Sequence, residues 1–363
     1  MTQKSGETLV YVGSYKASDG IYAYRFDVQS GRLEQIGHNV ETPQPLYIAV
    51  HPQRDAIYAV HGAVSGREVK VEGRPDGAVS ALSFNRTSGA MTLLNTQPSR
   101  GQSPCYVSVD VTGQVALVAN YDGGSVTALP IVFDRSLGAP SDFHQHEGSS
   151  IDPKRQTKAY AHAIAIDPSG KWAIAADLGI DKLMVYELAE DRGRIPAAPT
   201  PWARSKAGSG PRHIAFHPGG RYMYVIHELN STMVAYEFDN AVGVLTELQS
   251  VPTVPAAFTA PNYCADIHIG PSGRFVYGSN RGHDSIVAYA IDQKSGRLSS
   301  PSYMTSGGKT PRAFGIDPTG RFLLSANLAS DSVTVFRIDV ATGKLEPSGQ
   351  VVSVPSPGCL TVV

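Results

Sequence analysis

Cysteine is scarce: three in 363 residues, Cys105, Cys264 and Cys359, with no paired spacing between them. That leaves no disulfide framework and no thiolate metal cluster to build. Each cysteine opens an apolar, strand-like run (CYVSV, CADIHI, CLTVV), so they read as small buried hydrophobes in a reducing compartment. Charge of one sign is also missing. Lys plus Arg number 31 against 32 for Asp plus Glu, a net charge of −1, so no basic field draws the chain to nucleic acid or to an anionic membrane. No apolar run approaches the 18 residues of a membrane span, and MTQKSGETLVYVGSY passes straight into a strand without a signal-length apolar stretch. The expectation is a cytoplasmic protein with neither a membrane nor a nucleic acid as partner. Helical periodicity is absent. So are a glycine-rich phosphate loop, a serine nucleophile elbow and a zinc-binding helix motif.

What is present is turn residues, 36 Gly and 25 Pro, and a 42% hydrophobic fraction sufficient for a well-filled core. The segment GPRHIAFHPGGRYMYVIHELN, from Gly210 to Asn230, reads as strand, turn, strand, with charged groups at both open ends. It has sisters: PLYIAVHPQRDAIYAVHG, PCYVSVDVTGQVALVANYDGG, AHAIAIDPSGKWAIAADLG, YCADIHIGPSGRFVYGSNRG and PRAFGIDPTGRFLLSANL. Their turn positions (Pro52, Val111, Pro168, Pro218, Pro271, Pro318) are spaced by 59, 57, 50, 53 and 47 residues. A third strand follows each pair (SVTAL, LMVYEL, MVAYEF, IVAYAI, VTVFRI). A turn such as SGRL, GVL or TGKL then leads into a last strand. Such a period predicts an all-β, seven-bladed β-propeller with four-stranded blades, spanning residues 1–363 as one domain. Six units are whole. PGCLTVV at the end resembles a first strand, TLVYVGSY at the start a second, and joining them closes the seventh blade and removes its free edges.

In such a blade, the entry to the first strand and the exit from the second lie on one rim, at the mouth of the central channel. That rim gathers His162, Arg212 with His213, Asp266 and Arg312 at first-strand starts. It gathers Tyr121, Asp177, Glu228, Asn280, Arg281 and Asn327 at second-strand ends, with Tyr15 in the split blade. The opposite turns (HPQRD, DPSGK, HPGGR, GPSGR, DPTGR) repeat, so His51 and His217 within them read as structural. A varied, ionisable rim facing a uniform one is the pattern of a functional face. Two insertions border it, Ser141–Tyr160 and Val64–Pro75. His144 and His146 form a pincer with no third ligand in view, so no metal is assigned.

These motifs resemble the seven-bladed propeller lactonases, whose bacterial members include 6-phosphogluconolactonases. The resemblance is carried by GPRHIAFHP with HELNS, by ADIHI-PSGR-VY-SNR, by PRAFGIDPTG with SANL, and by GSSIDPKRQ before AHAIAIDP, and it covers essentially the whole chain. The fungal carboxy-muconate lactonising enzyme is related. The resemblance places its His, Arg, Glu and second Arg on His162, Arg212, Glu228 and Arg281. It implies metal-independent and cofactor-independent hydrolysis of a sugar-acid lactone, with 6-phosphogluconolactone of the pentose phosphate pathway as substrate, by a monomer or weak homo-oligomer. One departure is Tyr160, which stands where many relatives carry histidine. Tyr15, Tyr121, Asp177, His213, Asp266, Asn280, Arg312 and Asn327 are the accompanying substrate-binding candidates. Neutral His162 suits a general base, Glu228 an orienting group or the base itself, and the arginines an anion or oxyanion. Three alternatives stay open: a lyase or cycloisomerase that closes a lactone from an unsaturated diacid, a calcium-dependent gluconolactonase using Asp177, Asp266, Glu228 and Asn280, and a non-catalytic binding scaffold.

Overall fold

Seven four-stranded antiparallel sheets follow one another around a ring in a computed structural model that describes residues 7–15, 19–62, 69–71, 74–189 and 193–363. The inner strands of the first six blades are Pro45–Val50, Pro104–Val109, Ala161–Ile166, Pro211–Phe216, Tyr263–Ile269 and Pro311–Ile316. The seventh, closing blade takes its inner strand, Pro357–Val362, from the end of the chain and its other three from the beginning, with Val10 opposite Val362 and Val12 opposite Leu360. Inner strands of neighbouring blades touch all round, and Pro357–Val362 contacts both Pro45–Val50 and Pro311–Ile316, so the ring is continuous. Among the described residues the single helical element is a 3₁₀ turn at Leu328–Ser330, and no helix is long and apolar enough to cross a membrane.

The second strands explain the packing. Ala56–His61, Val115–Asn120, Trp172–Asp177, Tyr222–His227 and Phe322–Asn327 are buried along their whole length, because a blade is covered on both faces by its neighbours. Their sequences are accordingly continuous apolar runs, AIYAVH or WAIAAD, rather than alternating ones. Glycines in the outer turns allow close approach between blades. Gly243, at φ +72°, lies against the Trp172 ring of the preceding blade, where a Cβ would come within 2.7 Å of it. His51 and His217 act as the uniform rim suggested. Each donates from Nε2 to the carbonyl of a turn glycine in the next blade (Gly113 and Gly273, both 3.1 Å) and accepts a backbone N–H at Nδ1 from its own turn.

One irregularity recurs. In every inner strand the ladder skips a residue near its start: Leu46, Cys105, His162, Arg212, the pair Ala265–Asp266, Arg312 and, in the closing blade, Gly358. A bulge of this kind leaves one residue outside the pairing and re-aims its side chain.

Of the Val64–Pro75 insertion, residues 64–68 and 72–73 lie outside the described residues. Val69–Val71 and Arg74–Asp76 pair as a small ribbon.

Candidate active site

Two rings of residues converge at the channel mouth. One is the set of bulged inner-strand residues, from which Leu46, Cys105, His162 and Arg312 line a cavity of about 280 Å³. The other is the residue that follows each second strand: Tyr15, Tyr121, Glu228 and Arg281, with the last still inside its strand. Ser103 and Arg155 complete the wall, Arg155 reaching in from the Ser141–Tyr160 insertion. A roomier groove of about 480 Å³ lies at the circumference, lined by Trp202, Tyr236 and Leu245. It holds one guanidinium, Arg204, and one carboxylate, Glu247, with no histidine. The chemistry concentrates at the mouth.

Glu228 is the centre of the cluster. Its Oε1 accepts from Arg155 Nη2 at 2.6 Å; its Oε2 accepts from Arg212 Nε at 3.0 Å and forms an ion pair with Arg281 Nη2 at 3.1 Å. Burial opposes its ionisation, but Arg281, Arg212 and Arg155 outweigh burial and hold the carboxyl at about 2. His162 Nε2 stands 3.7 Å from the same Oε2. Burial, then the charges of Arg212 and nearby groups including Arg312, push His162 well below its ordinary value, so the imidazole is neutral in the free protein. Cys105 lies beside it, Sγ 3.7 Å from Nδ1, and burial lifts that thiol to about 12. Cys105 is thus part of the wall and not an activated nucleophile. Arg312 stacks on the Tyr15 ring at 4.7 Å, and among the described residues no carboxylate pairs with it.

Arg212 does not line the cavity. It is 2% exposed and runs beneath Glu228, donating also to the Ala265 carbonyl and, at 3.1 Å, to His213 Nε2. A guanidinium only donates, so that nitrogen of His213 accepts and Nδ1–H donates to Asp266 at 2.8 Å. Asp266 takes further bonds from His268 and from the backbone N–H groups of Ile267 and Phe314. His213 and Asp266 therefore form a second layer that fixes Arg212.

Asp177, Asn280 and Asn327 lie elsewhere, and the reason is one residue of offset. Asp177 and Asn327 are the last paired residues of their second strands, opposite Ala161 and Pro311, while Asn280, opposite Cys264, is followed by one more pair, Arg281 with Tyr263. Successive strand side chains point to opposite faces, so the mouth is reached by the next residue along. The residue before it instead turns into the blade. Asn280 donates to the Thr253 carbonyl and Asn327 to that of Ser306, as Asn120 does to Ser99. Asp177 accepts from His146 Nδ1 at 2.7 Å and from the backbone of Tyr160 and Gly179. His146 spends its other nitrogen on Tyr186. The four oxygen ligands proposed for calcium are thus separated and each saturated by internal donors. Among the described residues no group of three His, Cys, Asp or Glu is placed to hold a metal ion. Arg155 is the residue that sequence reasoning missed. Its signal was the insertion itself, whose GSSIDPKRQ segment contains it.

Fold and cavity together define a β-propeller enzyme-type site: a neutral histidine, one ionised carboxylate and an excess of arginine around a small polar cavity. A family model described as lactonase, 7-bladed beta-propeller, matches residues 9–362, and the chain belongs to that family. It is 36% identical over 313 residues to a 6-phosphogluconolactonase of Bacillus subtilis, covering 85% of this chain and 84% of the relative. A 6-phosphogluconolactonase of Formosa agariphila is 29% identical, with 85% and 86% covered. The crystal structure of a periplasmic gluconolactonase from Pseudomonas aeruginosa superposes with a TM-score of 0.90 at 30% identity, covering 98% of this chain and 99% of that one.

Proposed function

We propose that the protein hydrolyses an anionic sugar-acid lactone, 6-phosphogluconolactone above others, to the open-chain acid. The observation that carries this reading is the charge of the cavity. Arg155, Arg281 and Arg312 face it, Arg212 lies directly behind, and Glu228 is the one carboxylate among them. A neutral lactone would leave that excess uncompensated, whereas a phosphate or carboxylate group fits the fork of a guanidinium.

The scheme uses the chain's own side chains. Water between His162 Nε2 and the lactone carbonyl loses a proton to the imidazole as its oxygen bonds to the carbonyl carbon. The imidazolium so formed faces Glu228, and Arg212 and Arg281 hold that carboxylate in place. Arg312 lies three blades round the ring from His162 and donates to the developing oxyanion. The tetrahedral intermediate collapses by breaking the ring C–O bond, and His162 returns its proton to the leaving alkoxide. Aldonolactones are intrinsically reactive and open even without a catalyst, so a modest site is sufficient.

The test is hydrolysis of freshly made 6-phosphogluconolactone and of glucono-δ-lactone side by side, corrected for spontaneous opening, with and without EDTA. The expected result is preference for the phosphorylated lactone, unchanged by EDTA, with His162→Gln lowering kcat by roughly a hundredfold. Turnover of neither lactone, or full activity in His162→Gln, overturns the reading.

A further inference from the structure

Three guanidinium groups hold Glu228, and they are held very differently themselves. Arg212 is enclosed and tied to Ala265 and His213. Arg281 is tied to the backbone carbonyls of Tyr263 and Cys264. Arg155 has no backbone acceptor among the bonds described for it. Its guanidinium meets Glu228, the Tyr121 hydroxyl at a long 3.3 Å and the face of Tyr263 at 5.9 Å, and its side chain is 35% exposed. The backbone beneath it is fixed. The N–H groups of Lys154 and Arg155 donate to Asp152, Ser150 N–H donates to the Gln156 carbonyl, and the Gln156 side chain donates to the Leu178 carbonyl. In this stretch the arginine side chain is therefore the least tied part.

Its place on the carboxylate is also distinct. Arg155 alone occupies Oε1, while the two anchored arginines share Oε2. If Arg155 leaves, Glu228 keeps two ion pairs and is not stranded as a bare buried charge. It does gain a free oxygen and loses one of its three compensating charges.

We propose that Arg155 is a specificity-determining residue that exchanges Glu228 for the anionic group of the substrate, and that this exchange strengthens the catalytic base. The inference rests on the lactonase reading above and deepens it. A doubly charged phosphate at the cavity mouth is a stronger partner for a half-exposed guanidinium than a carboxylate already bonded twice. Once Arg155 has moved to it, the charge of Glu228 is less compensated, and the imidazolium of His162, 3.7 Å away, is better stabilised. A neutral lactone in the same cavity leaves Arg155 on Glu228 and meets a weaker base. Binding energy at a remote group of the substrate is thereby spent on the reacting centre.

The experiment has a binding arm and a turnover arm. Inorganic phosphate is titrated calorimetrically into the intact protein, Arg155→Ala, Glu228→Gln and the double variant, each checked by thermal melting. Arg155→Ala is expected to weaken phosphate by about tenfold, the loss of a charge-assisted contact. Glu228→Gln is expected to tighten it, because the competitor is gone, and most of that tightening should vanish in the Arg155→Ala background. Equal tightening in both backgrounds, or no phosphate binding by the intact protein, overturns the exchange. In turnover, the preference for the phosphorylated over the neutral lactone should collapse by about tenfold in Arg155→Ala and only partly in Arg155→Lys. Equal losses on the two substrates would make Arg155 a general contact and overturn its role in specificity. The binding arm requires no turnover, so if the intact protein opens neither lactone the enzymatic reading fails and the exchange is still decided.

Discussion

Glu228 carries more counter-charge than a single carboxylate neutralises, and its acidity follows. With its carboxyl at about 2, against an ordinary value of 4.5, the folded state holds this group ionised where an unfolded chain would take up a proton. The stability it contributes is complete above about 4.5 and drains away as the pH falls toward 2. Glu228→Gln is therefore expected to flatten the stability profile in that acid window. At neutral pH it should cost about 3–5 kcal/mol, since it leaves Arg155, Arg212 and Arg281 crowded around an amide. Urea titrations of both proteins across the range check each part, and a variant with an unchanged acid slope would show that Glu228 is not the titrating group.

At the scale of the strand, the rim end of each second strand carries a latch, the last paired residue in six blades and the last but one in the blade of Asn280: Ser14, His61, Asn120, Asp177, His227, Asn280 and Asn327. All seven are buried and polar. Asparagine satisfies this position with a side chain that never titrates; histidine does not. Burial pushes His227 down to about 4, Asp181 opposing only in part. The unfolded chain protonates this group near 6.5, so stability is lost as the pH falls from about 6.5 to about 4. His227→Asn copies the residue that three other blades already use. It is expected to keep the fold and to recover up to about 3 kcal/mol of that acid loss, read from denaturation at pH 7 and pH 4.5. An identical pH dependence in the two proteins would remove His227 from the account.

The latch also marks the boundary of what could be read in advance. The repeat was legible because each unit carries the same turn and the same apolar runs, and the split blade because its two halves resemble parts of the others. The grouping of His162, Arg212, Glu228 and Arg281 was legible because topology alone brings strand starts and ends to one rim. Which of two adjacent residues faces the channel was not. That depends on a bulge in the partner strand, and Asn280 and Arg281 look equally suitable in sequence. Arg155 was hidden for another reason. It comes from an insertion with no counterpart in the other blades, so no alignment of repeats predicts its position.

For the whole molecule, closure is the decisive contact. Among the described residues Pro357–Val362 is the one inner strand that the chain supplies out of order, and the Thr8 hydroxyl and the Leu9 backbone bond to Val363 at its end. Removing residues 357–363 would leave the edge of Glu7–Ser14 unpaired, uncover the flanks of Pro45–Val50 and Pro311–Ile316, and open the channel wall between Leu46 and Arg312. The truncated protein is expected to lose its cooperative melt and to aggregate, as seen by calorimetry and gel filtration. A synthetic peptide of those residues should restore part of both, and an unaltered melt after truncation would show that the ring does not depend on this strand.

The bulged residues of the inner strands hold their places without taking part in the ladder. A strand whose every side chain is needed for register cannot change its chemistry without risking its fold. Here each blade offers a position outside the ladder, and the blade of Tyr263–Ile269 offers two. The ring can be read as a dial on which leucine, cysteine, histidine and arginine are some of the values in use, with Gly358 held fixed by the Tyr15 ring against it. Descent from a common ancestor toward new lactones, or toward ring closure instead of opening, could then proceed one setting at a time while the scaffold stays the same.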